Sequence, residues 1–144
     1  MQILDQEAFS MITLLSIHTV VPGREEEYVE YQKKLWTLTM AEPGIIRYEH
    51  YRGTKKGQFI SFLTFKSLDA FLEHQIADYH HDAAWGDLFA EHELQWLDPI
   101  PGANDLEQSE IPPLAPDLSE LKRQYAAMLP PSRPAWWDAA GKGR

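Results

Sequence analysis

The stretch "GIIRYEHYRGTKKGQFISFLTFKSLDAFLEHQI", residues 44–76, carries the clearest structural signal in the chain. Its runs "IIRYEHYR" (45–52) and "QFISFLTFK" (58–66) are rich in β-branched and aromatic residues, and they flank the loop "GTKKG", with glycine at both ends. That pattern predicts a β-hairpin. Ser67 follows as a helix N-cap, and Leu68, Phe71, Leu72 and Ile76 recur at the three- and four-residue steps of an amphipathic helix.

On the N-terminal side, "ITLLSIHTVV" (12–21) is β-branched and apolar and stops at Pro22-Gly23, as a buried strand closed by a turn would. Residues 24–40 carry Tyr28, Tyr31, Leu35 and Leu38 at helical spacing. Glu25, Glu26 and Glu27 lie in the first turn, where the helix dipole favours negative charge, and "EPG" (42–44) ends the helix. On the C-terminal side, "ADYHHDAAWGDLF" (77–89) reads as a further helical segment, and "LQWLDPI" (94–100) as a last strand stopped by Pro99 and Pro101.

The order β-α-β-β-α-β, with an extra helix before the last strand, predicts an α+β fold. It is the ferredoxin-like split β-α-β, an antiparallel sheet with both helices on one face. The other face stays uncovered, and strands apolar on both sides predict burial against a second copy, a homodimer through the sheet faces. Residues 11–100 form this domain. Residues 101–144 hold seven of the ten prolines and one helical pattern, "DLSELKRQYAAML", so they read as an extension wrapping a surface. Trp136 and Trp137 near its end are costly to leave in water; they dock on the domain or its mate, or cover a ligand site.

The chain has 144 residues and a formal charge of -9, from 13 Lys and Arg against 22 Asp and Glu. Such a surface repels phosphate backbones, so no nucleic-acid partner is expected. No run approaches the ~18 apolar residues of a membrane span. The N-terminus lacks the basic and apolar regions of a signal peptide, and cysteine is absent. No membrane association and a cytoplasmic location are therefore expected. Without cysteine there is no thiolate metal site and no thiol nucleophile.

Phosphate-loop, dinucleotide, HExxH, EF-hand and GxSxG motifs are all missing. Chemistry then falls to His, Asp, Glu or Tyr in an apolar pocket, with no cofactor and no metal expected. Taken as a helix of about 100° per residue, the 77–92 segment puts His81 on an inner face with Trp85, Leu88 and Phe89, and His80 opposite. His81 is the pocket candidate; its bland alternative is a core-edge imidazole bonded to a backbone carbonyl. His92 falls at the end of the same helix, and His74 lies off its helix's apolar stripe and is predicted at the surface. In the first strand, alternation puts Ile12, Leu14, Ser16 and His18 on one face; a buried Ser-x-His pair needs hydrogen-bond partners. The third strand presents Phe59, Ser61, Leu63 and Phe65 in the same way. Arg47 and Glu49 share a face opposite Tyr48 and His50 and read as an ion pair at the dimer sheet.

Set side by side, "EPGIIRYEHYR", "FISFLTFKSLDAFLEHQ" and "YHHDAAWGDLF" resemble the antibiotic biosynthesis monooxygenase family of dimeric α/β barrels, over about residues 11–100. The resemblance implies a small homodimer with a pocket between helices and sheet, in a family several of whose members oxidise polycyclic phenols or quinols with O2 and no metal or flavin. The family's histidine followed four residues later by an aromatic selects His81 with Trp85. Anthrone-oxidising members have asparagine and tryptophan on the third strand and tyrosine on the next helix, where this chain has Ser61, Phe65 and Phe71. Haem-degrading members have an asparagine on the first strand and the same tryptophan, where this chain has Ser16 and Phe65, which disfavours haem degradation.

The expected function is a cofactor-independent monooxygenase acting on a phenolic, quinol or polycyclic aromatic small molecule. His81 and His18 are the candidate bases, and Ser16, Ser61, Phe65, Phe71 and Trp85 the substrate-binding residues. The alternatives are a non-oxidative cyclase, isomerase or decarboxylase of the same barrel class, or a non-catalytic binding or assembly module.

Overall fold

The computed structural model of the chain describes residues 11–80 and 83–140. Strand β1 (Ile12–Val20) leads through the Pro22-Gly23 turn into helix α1 (Glu25–Thr39). The hairpin β2 (Ile45–Arg52) and β3 (Gln58–Phe65) comes next, then α2 (Leu68–Ile76), the single turn α3 (Ala83–Gly86) and β4 (Phe89–Leu97). Helices α4 (Glu120–Met128) and α5 (Ala135–Ala140) lie in the C-terminal segment. The strands form one antiparallel sheet in the order β2-β3-β1-β4, with the helices on one face: the ferredoxin-like α+β fold expected.

Local chemistry accounts for the element ends. Gly57 takes φ +80° and closes the hairpin loop in a left-handed conformation that glycine adopts at no steric cost. Ser67 caps α2 by accepting from the Ala70 amide, and the Glu25 carboxylate accepts from the Gly23 amide at the start of α1. At Gly44 the turn into β2 passes so close to α2 that an added Cβ would lie 2.5 Å from the Ala70 Cβ. Gly44→Ala is therefore expected to destabilise the fold by about 1–3 kcal/mol through overpacking, read as a lower urea midpoint at unchanged m-value.

Three expectations are corrected. Residues 77–92 are not one helix: after α3 the chain enters β4 at Phe89, well before Leu94, so His92 is a strand residue paired with His18. A bulge opposite Thr19 and Val20 explains why this strand resembled a helix. It puts Phe89, His92, Leu94 and Trp96 on one face, and the initial three-residue step breaks the two-residue alternation. Second, the buried face of α1 is Tyr28, Gln32, Leu35 and Thr39, while Leu38 is 38% exposed. Third, His74 is buried, because the Glu42 carboxylate after α1 supplies a partner for its ring.

The inner faces of all four strands match their pairing register. Ile12, Leu14, Leu63, Phe65, Tyr48, Phe71 and Leu72 make one core cluster, and Val20, Tyr28, Leu35, Phe59, Trp85 and Leu88 a second. The outer face carries Leu15, Ile17, Ile60 and Phe62 in half-buried or exposed positions. It also carries the expected ion pair, Arg47 Nε to Glu49 at 3.0 Å.

The C-terminal segment folds back on the sheet and the helices. Ser109 Oγ accepts from the Thr13 amide and donates to the Leu97 carbonyl. Ala126, Ile111, Leu118, Tyr125 and Leu129 join the first core cluster, and Lys122 of α4 bridges to Asp69 of α2. Trp137 is buried, whereas Trp136 is 68% exposed. No helix among the described residues is long and apolar enough to cross a membrane.

Candidate functional site

Strand register puts the polar residues of the inner face in two adjacent rows. In the first, Ser61 faces Ser16 on one side and His50 on the other. In the second, His18 faces Phe59 and His92. Inward-pointing polar groups in an apolar sheet need partners, and α1 supplies them through Tyr28 and Gln32, one helical turn apart.

The result is a set of hydrogen bonds across the sheet. Ser16 Oγ lies 3.0 Å from His18 Nε2, and Tyr28 Oη 2.9 Å from His18 Nδ1. His50 Nδ1 lies 2.6 Å from Ser61 Oγ, and Gln32 Nε2 lies 2.6 Å from His50 Nε2 and 3.3 Å from the Tyr48 hydroxyl. A neutral imidazole has one donor and one acceptor. Both rings are satisfied when Tyr28 and Gln32 donate to them and the rings donate to Ser16 and Ser61.

Burial keeps these groups uncharged. His18 is pushed down to about 3, first by desolvation and then by His92 and His50; Phe89 stacks on its ring at 4.2 Å and Trp85 meets it edge-on at 5.8 Å. His50 falls to about 4, by desolvation and then by His74. His92, at the rim, is lowered by desolvation. Desolvation also raises both tyrosines, Tyr48 to about 12 and Tyr28 further, so their hydroxyls remain protonated donors.

These groups line a cavity of about 60 Å³ between helices and sheet. At ~30 Å³ per water it has room for about two waters. Ser16, His18, Ser61, Phe71 and Trp85 all line it. Phe65 stands one layer behind, edge-on to Phe71 at 5.5 Å. His81 lies outside the described residues.

The sequence reading missed much of the wall. His50, Gln32, Tyr48 and His92 line the cavity, as does His74. The His74 Nδ1 meets Glu42 at 3.0 Å, and the Tyr79 hydroxyl donates to the same carboxylate. The inward phase of His50 was visible from its alternation with Tyr48; the Glu42–His74 contact joins residues 32 apart and had no local signal. The described residues contain no group of three or more His, Cys, Asp or Glu placed to hold a metal ion.

Residues 11–85, just over half of the chain, match the family model described as antibiotic biosynthesis monooxygenase. The chain belongs to the antibiotic biosynthesis monooxygenase family. Several solved structures share this fold over nearly their whole length. A candidate antibiotic biosynthesis monooxygenase from Caulobacter crescentus is 25% identical, with TM-score 0.59 over 69% of this chain and 99% of that one. Another from Bacteroides thetaiotaomicron is 22% identical, with TM-score 0.61 over 67% and 97%. A protein from Mycobacterium tuberculosis is 21% identical, with TM-score 0.60 over 66% and 100%. No curated protein matches the chain. The match to the antibiotic biosynthesis monooxygenase family ends at Trp85, so β4 and the C-terminal segment, which supply His92 and the α4 packing, lie beyond it.

Proposed function

We propose that this member of the family is a cofactor-independent monooxygenase that oxidises a phenolic, quinol or polycyclic aromatic small molecule with O2, acting as a homodimer through the exposed sheet face. The observation that carries the reading is the aromatic-walled cavity in which two histidines are kept neutral, each within its own set of hydrogen bonds. Such a site suits chemistry that makes an anion out of contact with water.

In this reading His18 and His81 accept the phenolic proton, Ser16 and Ser61 hold the oxygen, and Phe71 and Trp85 form the dry wall, with Phe65 packed behind Phe71. An imidazole depressed to about 3 is a poor base alone; the phenolate formed beside it stabilises the imidazolium by direct charge pairing. The substrate itself supplies the electrons. The anion reduces O2, a carbon–oxygen bond forms, and the resulting hydroperoxide at a CH carbon loses water to leave a carbonyl. One oxygen atom ends in the product and the other in water. The cavity volume matches O2 and one water, so a ring must reach it from outside. Residues 11–100 carry this chemistry, and the extension 101–144 braces the helix layer and β4.

Oxygen consumption by purified protein, measured against a panel of hydroquinones, naphthols and anthrones, tests the proposal. Uptake matched one-for-one by product is expected. Saturable binding of the same compounds with no uptake would replace it with non-oxidative acid-base chemistry in the same cavity.

A further inference from the structure

A second depression, a groove of about 450 Å³, opens between α1 and the edge strand β2. Its size falls within the range of small-molecule sites, ~300–1,000 Å³. Gln32 and His50 belong to the walls of both the groove and the inner cavity, so the two spaces meet at one polar partition. Trp36, Tyr51, Phe59 and Tyr28 line the outer space. Trp36 is held in place by its indole N–H, which donates to the Tyr48 carbonyl at 3.0 Å, while 46% of its surface is open to solvent.

The charge of the groove runs against that of the molecule. The chain has nine more acidic than basic side chains, yet the groove is lined by Lys33 and Arg52 and by no Asp or Glu. Arg52 forms no ion pair among the described residues. Lys33 meets Glu30 in an exposed pair of little worth. At the partition, the Gln32 amide oxygen is buried without a partner. A buried acceptor with no donor costs free energy unless a ligand or water supplies one. A ligand that is flat, carries a hydroxyl at one end and is anionic at the other answers all three features.

We propose that the groove between α1 and β2 is the substrate's binding site and that it takes a hydroxylated aromatic bearing a carboxylate. The ring lies among Trp36, Phe59 and Tyr28, the carboxylate meets Arg52 and Lys33, and the hydroxyl enters the inner cavity past Gln32 and His50, toward His18. This assignment rests on the oxygenase reading for its chemistry but not for its binding geometry.

The test is calorimetric binding of 6-hydroxy-2-naphthoate and of its neutral isostere, 6-hydroxy-2-naphthamide, to the full chain. The acid is expected to bind at least about tenfold tighter at low salt, a difference of ~1.4 kcal/mol, with the preference shrinking as salt rises. Arg52→Gln combined with Lys33→Gln should erase that preference, bringing the acid's affinity down to the amide's. Thr37→Trp, which fills the groove from an exposed helix position, should abolish binding of both. Equal affinity for acid and amide, or a preference that survives the double substitution, overturns the proposal. Charge-dependent binding without oxygen consumption would leave the groove assignment standing and remove the oxygenase reading; oxygen consumption with charge-blind binding would do the reverse.

Discussion

Lowering the pH from 7 to about 4.5 is expected to remove ~5 kcal/mol of folding stability through two histidines. In the fold His18 takes a proton only near 3 and His50 near 4, whereas both do so near 6.5 in the unfolded chain. Below that value the unfolded state binds more protons than the native state, so stability falls as pH falls, and the loss continues until the native values are reached. At about pH 4.5 each ring accounts for ~2.5 kcal/mol, from roughly 1.4 kcal/mol per unit of pH. For a domain with ~5–15 kcal/mol in total, that is a large share. The comparison is a urea midpoint at the two pH values for the natural chain and for the His18→Gln, His50→Gln double variant, whose side chains do not titrate. A loss of the same size in the variant would mean that carboxylates, not these imidazoles, govern acid sensitivity.

The second large effect concerns turnover. Once a substrate is identified, His18→Ala is expected to lower kcat by about 10²–10⁴, the range for loss of a positioned proton acceptor. Tyr28→Phe removes the hydroxyl that meets His18 Nδ1 at 2.9 Å and keeps the ring packed against Phe59 and Trp85. It should cost ~1–3 kcal/mol of stability by leaving a buried nitrogen unpaired. It should also lower kcat more than it raises KM, since Tyr28 acts through His18. Full activity in His18→Ala would remove His18 from the chemistry. A change in KM alone in Tyr28→Phe would confine that hydroxyl to binding.

Most of the architecture was legible because it is written in local periodicity. The hairpin, both long helices, the Ser67 cap and the inward set Ser16, His18 and Ser61 follow from two- and three-to-four-residue repeats that survive in the fold. The start of β4 was not legible. The bulge at its pairing with Thr19 and Val20 shifts phase between Phe89 and His92, and the shifted pattern imitates a helix until β1 is beside it.

Sequence alone determined the order of strands and helices up to β4, the residues that share each face of β1 and β3, and the family, because each is carried by local patterns along the chain. Tertiary structure decided which polar groups share a cavity. Glu42 reaches His74, and Tyr28 reaches His18. Gln32 reaches His50. Each is a contact between separate elements that becomes favourable only when burial strips water from both partners. The same burial sets the protonation of His18 and His50, since a side chain's pKa follows the dielectric and charges around it and not its position in the chain.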